Sequence, residues 1–145
     1  MLKFEKFTRQ ALHLEGQVKF MKLIDLLSPQ ISNLEWEKKG YVTPKFDIKA
    51  VRDKTFKQPT WIHFGAGNIF RAFPAAALQK ILEAGDYDRG VIVAEGYDYE
   101  IIDKAYRTFD NLSLLVVLGA DGSVTKRTIA SVTESLKAGH QFKED

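Results

Sequence analysis

The chain contains no cysteine, which removes disulfides, thiolate nucleophiles and cysteine-based zinc sites from consideration. It has only three histidines, His13, His63 and His140, far apart in the sequence. No group of His, Asp and Glu has metal-ligand spacing, so no metal site is expected. No Gly-x-Ser-x-Gly turn marks a serine nucleophile. No apolar run is long enough to span a bilayer. The first nine residues, Met1 to Arg9, are interrupted by charges and lack the apolar core and small-residue cleavage pattern of a signal peptide. Internal repeats and low-complexity segments are also missing. These absences predict a cytoplasmic protein with no membrane association.

The 145 residues that remain are 45% hydrophobic and 28% charged, enough for one domain with a packed core. The net charge of +2 is unevenly placed. Residues 1–58 carry 12 Lys/Arg against 7 Asp/Glu, whereas residues 59–145 carry 9 against 12. A basic N-terminal third is one signature of nucleic-acid binding. Here the lysines are scattered among acids and apolar residues, with no accompanying motif, which predicts a solvated surface and no nucleic-acid partner.

Val18, Met21, Ile24 and Leu27 fall at helical spacing within residues 16–27, and Ser28-Pro29 is expected to stop that helix. Residues 30–58 show no apolar period and are punctuated by Gly40 and Pro44, with Pro59 just beyond, so they read as irregular. Residues 1–58 are therefore expected to be a partly helical extension that packs on the rest. From residue 59 the pattern sharpens. Residues 60–64 read as a short strand. Residues 68–84 read as a helix with Ile69, Phe73, Ala77 and Ile81 on its buried face, a tight first turn or kink at Pro74, and Gly85 as its stop. Residues 90–95 (Gly-Val-Ile-Val-Ala-Glu) suit a strand buried on both faces. A short helix over 99–107 should bury Ile101, Ile102, Ala105 and Tyr106. A hairpin then runs from Leu112 to Val132 through Asp121-Gly122, its second strand, 123–132, alternating as an exposed strand does. The order strand, helix, strand, helix, hairpin predicts an α/β fold: a partial Rossmann-like dinucleotide-binding domain over residues 59–145 with an inserted β-hairpin.

The turn between the first strand and its helix, Gly65-Ala66-Gly67, carries two glycines of the dinucleotide fingerprint. The first glycine permits the tight turn, and the second lets a pyrophosphate approach the backbone. The N–H groups of residues 67–70 and the helix N-terminus favour an anion. The third fingerprint glycine would fall at position 70, where the chain has Phe70, which implies a wider approach of helix to strand. The candidate phosphate turn is thus Gly65, Ala66, Gly67, Asn68, Ile69 and Phe70.

A second strand in such a unit should end on an acid that holds the adenosine ribose. Glu95 ends it and Asp98 follows three residues later. Either could serve, Glu95 first; Asp98 could instead cap the helix that begins at Tyr99. An acid there repels a 2′-phosphate and so favours NAD over NADP. Arg71, in the first turn of the helix, has a charge suited to pyrophosphate or a substrate phosphate, with an ordinary surface arginine as the alternative. His63 lies within the strand and is read as packing.

The run His63-Phe-Gly-Ala-Gly-Asn-Ile-Phe-Arg-Ala-Phe73 is similar to the glycine motif of the mannitol dehydrogenase family. That family of polyol-specific long-chain dehydrogenases spans mannitol 2-dehydrogenase, mannitol-1-phosphate 5-dehydrogenase and the fructuronate and tagaturonate reductases. Members often carry a bulky residue at the third glycine position, so Phe70 fits the resemblance, which covers about residues 33–137. It implies an NAD-dependent oxidoreductase that oxidises a secondary alcohol of a sugar alcohol or reduces a keto-sugar or hexuronate, without a metal. It also implies a catalytic lysine, with asparagine and histidine nearby, in a C-terminal domain. That motif is not found here, so the chain reads as the N-terminal, cofactor-binding part of a longer protein, with no catalytic residue of its own and its polyol or keto-sugar substrate held by the further domain. The alternative is a non-catalytic NAD- or nucleotide-binding module, or a subunit that completes a partner chain. A half-built sheet exposes an edge, which makes self-association a further expectation.

Overall fold

A computed structural model describes residues 22–27 and 33–139. Val18, Met21, Ser28-Pro29, His13 and His140 lie outside the described residues. Leu23–Leu27 forms a single 3₁₀ turn. Leu23, Leu26 and Leu27 pack against Ile48, Leu112 and Ala130, while Ile24 is half exposed.

Residues 33–57 are more ordered than the sequence suggested. Helix α1 (Leu34–Lys38) buries Trp36, strand β1 is Tyr41–Val42, and helix α2 is Ile48–Lys57. The start of α2 is fixed by Asp47, whose Oδ1 accepts the Ala50 N–H at 2.9 Å. Ile48, Val51 and Thr55 share its buried face at i, i+3 and i+7. The expectation of irregular chain over 30–58 is corrected here: Lys49, Arg52, Lys54 and Lys57 interrupt the buried row of α2 and mask its period. Thr55 also ties this segment to the sheet, since its hydroxyl accepts the Gly90 N–H at 2.8 Å.

The centre of the molecule is a parallel sheet of β2 (Ile62–Phe64), β3 (Val91–Glu95) and β6 (Val132–Lys137), in the order β2-β3-β6. Strand β3 is buried at all five residues, as its unbroken apolar, β-branched run predicted. Strand β6 is a correction. A single exposed strand was expected over 123–132, but β5 (Val124–Ile129) ends there, and the chain crosses through buried Ala130 and Ser131 into the other sheet. Thr133 and Ser135 are buried in β6, and the Thr133 hydroxyl is satisfied by Val91 O at 3.2 Å. These polar residues hid the strand from a hydrophobic pattern.

The second sheet has the order β1-β5-β4, with β4 (Ser113–Leu118) antiparallel to β5 and β1 parallel to it. It is the inserted hairpin that was expected, turning at Asp121-Gly122, extended by one short strand. Gln79 holds the crossing between the sheets. It is fully buried, its amide nitrogen donates to Thr128 O at 2.7 Å, and its oxygen accepts Ala130 N–H at 2.7 Å.

The helix expected over 68–84 is interrupted. Helix α3 (Asn68–Ala72) ends at Phe73, and α4 (Pro74–Ala84) starts with Pro74 in its first turn, where a missing N–H costs nothing. Gly85 closes α4 at φ 80°. The break resets the helical phase, so the expected buried row is on the wrong side. Ile69 is 83% and Phe73 73% exposed, and Ile81 and Ala77 are exposed too. Phe70, Ala75, Ala76, Leu78 and Leu82 face the core instead. Alanine at 75 and 76 lets α4 lie close to the sheet, where the Ser131 hydroxyl donates to Ala75 O at 2.6 Å. Helix α5 (Tyr99–Ile101) runs into a π turn at Ile102–Tyr106 and a 3₁₀ turn at Arg107–Phe109. Ile102 and Tyr106 are buried and Ile101 and Ala105 pack against the core, as the spacing predicted.

Candidate functional site

The carboxyl ends of β2 and β3 meet at the Gly65-Ala66-Gly67 turn. Gly65 has φ 102°, a conformation that side chains rarely adopt, and its N–H donates to Ala94 O on β3 at 2.8 Å. Ala66 is fully buried. Gly67 is extended and stands as the N-cap of α3, with no side-chain cap. A Cβ built on Gly67 meets nothing within 4 Å, so the space in front of it is open. The N–H groups of Gly67, Asn68, Ile69 and Phe70 have no acceptor among the described residues. Four unsatisfied donors at a helix start form a ready anion cradle.

Phe70 takes up the space that a third glycine would leave. It is buried, and its ring stacks on His63 of β2 at 4.3 Å between centroids and 16° between planes. Trp61 meets His63 edge-on. His63 is therefore a packing residue, and the wider approach of α3 to the strand is filled by an aromatic pair.

Glu95 is buried and turned beneath the loop. Its Oε2 accepts Ala66 N–H at 2.7 Å, and its Oε1 accepts the N–H groups of Tyr97 at 2.9 Å and Asp98 at 3.3 Å. The Ala66 hydrogen bond holds the carboxyl below its ordinary pKa; burial opposes this, and the Tyr97 and Asp98 bonds add to it. Asp98 sits at the N-cap position of α5, but its side chain makes no cap bond and is exposed. The cap alternative raised from the sequence is therefore not what this carboxylate does.

Arg71 lies in α3. Its guanidinium donates to Asn68 Oδ1 and rests 5.4 Å above the ring of Tyr106, and no carboxylate among the described residues pairs with it. Tyr106 is the residue that sequence reasoning missed. It is buried in the π turn, and its hydroxyl donates to Ala66 O at 2.8 Å. Burial pushes its phenol up to about 12, so it remains a donor at any ordinary pH. A buried tyrosine needs a polar partner, and that was the available signal. No His/Cys/Asp/Glu group suited to a metal is found among the described residues, and no described helix is long and apolar enough to cross a membrane.

Comparison with known proteins adds one relative in sequence and two similar solved structures. The chain is 54% identical over 102 residues to a D-mannonate oxidoreductase of Thermotoga maritima, a match that covers 70% of this chain and 19% of that protein. The fold matches a D-sorbitol dehydrogenase in substrate-free form with a TM-score of 0.56 and 26% identity, over 68% of this chain and 20% of the other. It matches the Pseudomonas fluorescens mannitol 2-dehydrogenase, solved with NAD and D-mannitol, with a TM-score of 0.57 and 19% identity over 68% of this chain and 19% of the other. That last likeness shows the fold alone. No protein-family model matches the chain. The chain spans about a fifth of the length of these relatives. The resemblance to the mannitol dehydrogenase family carried by residues 63–73 is thus borne out, and the α/β fold is of the Rossmann type found in the sorbitol and mannitol dehydrogenases.

Proposed function

We propose that this chain binds NAD and supplies the cofactor-orienting part of an oxidoreductase acting on a secondary alcohol of a sugar alcohol or sugar acid, or on the corresponding keto-sugar. The observation that carries the reading is the row of N–H groups at residues 67–70 without an acceptor among the described residues, beside the open space at Gly67. The pyrophosphate fits there: the donors are unsatisfied, and the second glycine leaves room that a Cβ would fill. Gly65 and Ala66 shape the turn, Gly67, Asn68, Ile69 and Phe70 present the donors, and Arg71 adds charge nearby. Asp98 is the better ribose acid, because its carboxylate accepts no hydrogen bond among the described residues and has only a charge interaction with Lys104, while that of Glu95 is engaged by three backbone donors. An acid at this place favours NAD over NADP. NAD, when bound, supplies the hydride chemistry, and the protein supplies orientation. The name of the Thermotoga relative puts mannonate, a sugar acid, among the candidate substrates.

The test is titration of the chain with NADH and NADPH, followed by fluorescence or calorimetry. Saturable binding with NADH preferred is the expected result. A folded chain that binds neither dinucleotide would remove the proposal.

A further inference from the structure

The peptide groups on either side of Ala66 are gripped from below. The N–H of Ala66 goes to Glu95 Oε2 at 2.7 Å, and its carbonyl takes the Tyr106 hydroxyl at 2.8 Å. Between two glycines these peptides would otherwise rotate at little cost. A trans peptide is planar, with its N–H directed opposite to its C=O. The Ala66 carbonyl and the Gly67 N–H belong to one peptide plane. Holding that carbonyl inward on Tyr106 therefore turns the Gly67 N–H outward, toward the open space above the loop. Holding the Ala66 N–H inward on Glu95 fixes the plane before it. The same carboxylate holds the Tyr97 and Asp98 N–H groups, so one side chain sets the glycine loop and the turn after β3 relative to each other.

We propose that Glu95 and Tyr106 are positioning residues for the dinucleotide, whose joint grip on Ala66 aims the Gly67 N–H at the pyrophosphate. This rests on the NAD-binding reading above. Neither side chain touches the ligand in this account. The charged and titratable groups around the grip are Asp98 on the turn after β3, Tyr106 in the π turn and Arg71 of α3 over the tyrosine ring. Of the two carboxylates there, Glu95 and Asp98, it is Glu95 that bonds to Ala66.

Two variants and one spectrum test it. Tyr106→Phe keeps the ring beneath Arg71 and removes only the hydroxyl. Glu95→Gln keeps the shape but places an amide N–H₂ against one set of backbone donors. Each variant is titrated with NADH, NADPH and inorganic pyrophosphate below its own melting temperature. The expected result is at least a fivefold loss of affinity in each variant, equal for the three ligands. Unchanged affinity in a folded Tyr106→Phe overturns the proposal. A Glu95→Gln protein that loses NADH and gains NADPH also overturns it, because that is the signature of a ribose ligand. The spectrum is the Ala66 amide resonance of the wild-type chain without ligand. It should lie downfield, follow the titration of a single carboxyl group below neutral pH, and move upfield in Glu95→Gln. If the wild type bound no dinucleotide or pyrophosphate, the NAD reading would fall while this resonance still judged the grip. An Ala66 amide that ignores the titration overturns the grip whatever the binding result.

Discussion

The two glycines of the turn do different work, and substitution should separate them. Gly65 sits at φ 102°, so its role is conformational. Gly67 is extended at φ −69°, and a Cβ there meets nothing within 4 Å, so its role is to leave space. Gly65→Ala forces a side chain into a rarely populated backbone region, at roughly 1–3 kcal/mol. For a domain of this size that is a melting temperature lower by roughly 4–12 °C. The Cβ of Gly67→Val meets no atom of the protein within 4 Å. It loses about 1 kcal/mol of helix-cap preference and regains roughly 0.4–1 kcal/mol by restricting the unfolded chain. Its melting temperature should stay within about 4 °C of wild type. The valine side chain nevertheless fills the approach to the free N–H groups. NADH affinity should fall at least tenfold, equivalent to about 1.4 kcal/mol. Melting curves and NADH titrations on the three proteins give the comparison. A Gly67→Val chain that binds NADH like wild type refutes the reasoning, as does one that melts as early as Gly65→Ala.

Gln79→Ala removes the amide that bridges the sheets and leaves the buried Ala130 N–H without its acceptor, so urea denaturation should show a loss of about 2–4 kcal/mol; a loss under about 0.5 kcal/mol would contradict the bridging role. Gly90→Ala places a Cβ 2.4 Å from both Ser131 O and Thr133 Cγ2, at the start of the β3–β6 pairing. The strands must part, and thermal melting should report about 1–3 kcal/mol of destabilisation. Glu95 contributes to acid stability with a definite sign. Its folded pKa lies below its ordinary value of 4.5, so its contribution is complete above that pH and is lost as pH falls through the folded value. Urea midpoints measured from pH 7 to pH 3 should therefore fall more steeply below about pH 4.5 in wild type than in Glu95→Gln, and parallel curves would show that the carboxylate is not stabilised by folding.

What the sequence revealed and what it concealed follow from which interactions leave a local pattern. The glycine turn was legible because an apolar strand, two glycines and a helix start lie within a dozen residues. Strand β3 was legible because burial on both faces demands an unbroken apolar run. The buried face of α4 was not, because Phe73-Pro74 breaks the helix and shifts its phase, which an i, i+4 count cannot register. Helix α2 was hidden by Lys49, Arg52, Lys54 and Lys57, although Asp47 before Ile48, Val51 and Thr55 is a cap followed by a buried row. Strand β6 was hidden by Thr133, Glu134 and Ser135, polar residues in a strand that is largely buried. At the site, positions 65–70 could be read from spacing. The engagement of Glu95 with Ala66 could not, because a carboxylate that takes backbone N–H groups selects no particular residue type at the other end. Tyr106 lies 40 residues from the carbonyl it holds, a separation across which sequence spacing carries no signal.

The central claim is that residues 67–70 present their N–H groups to the pyrophosphate of NAD. Amide chemical-shift mapping of the chain during NADH titration tests it most directly. The account predicts that the Gly67, Asn68, Ile69 and Phe70 amides shift together and saturate with NADH, and that the Asp98 amide follows. Saturable binding that leaves these four amides unmoved, or a folded chain that does not bind NADH, would contradict it.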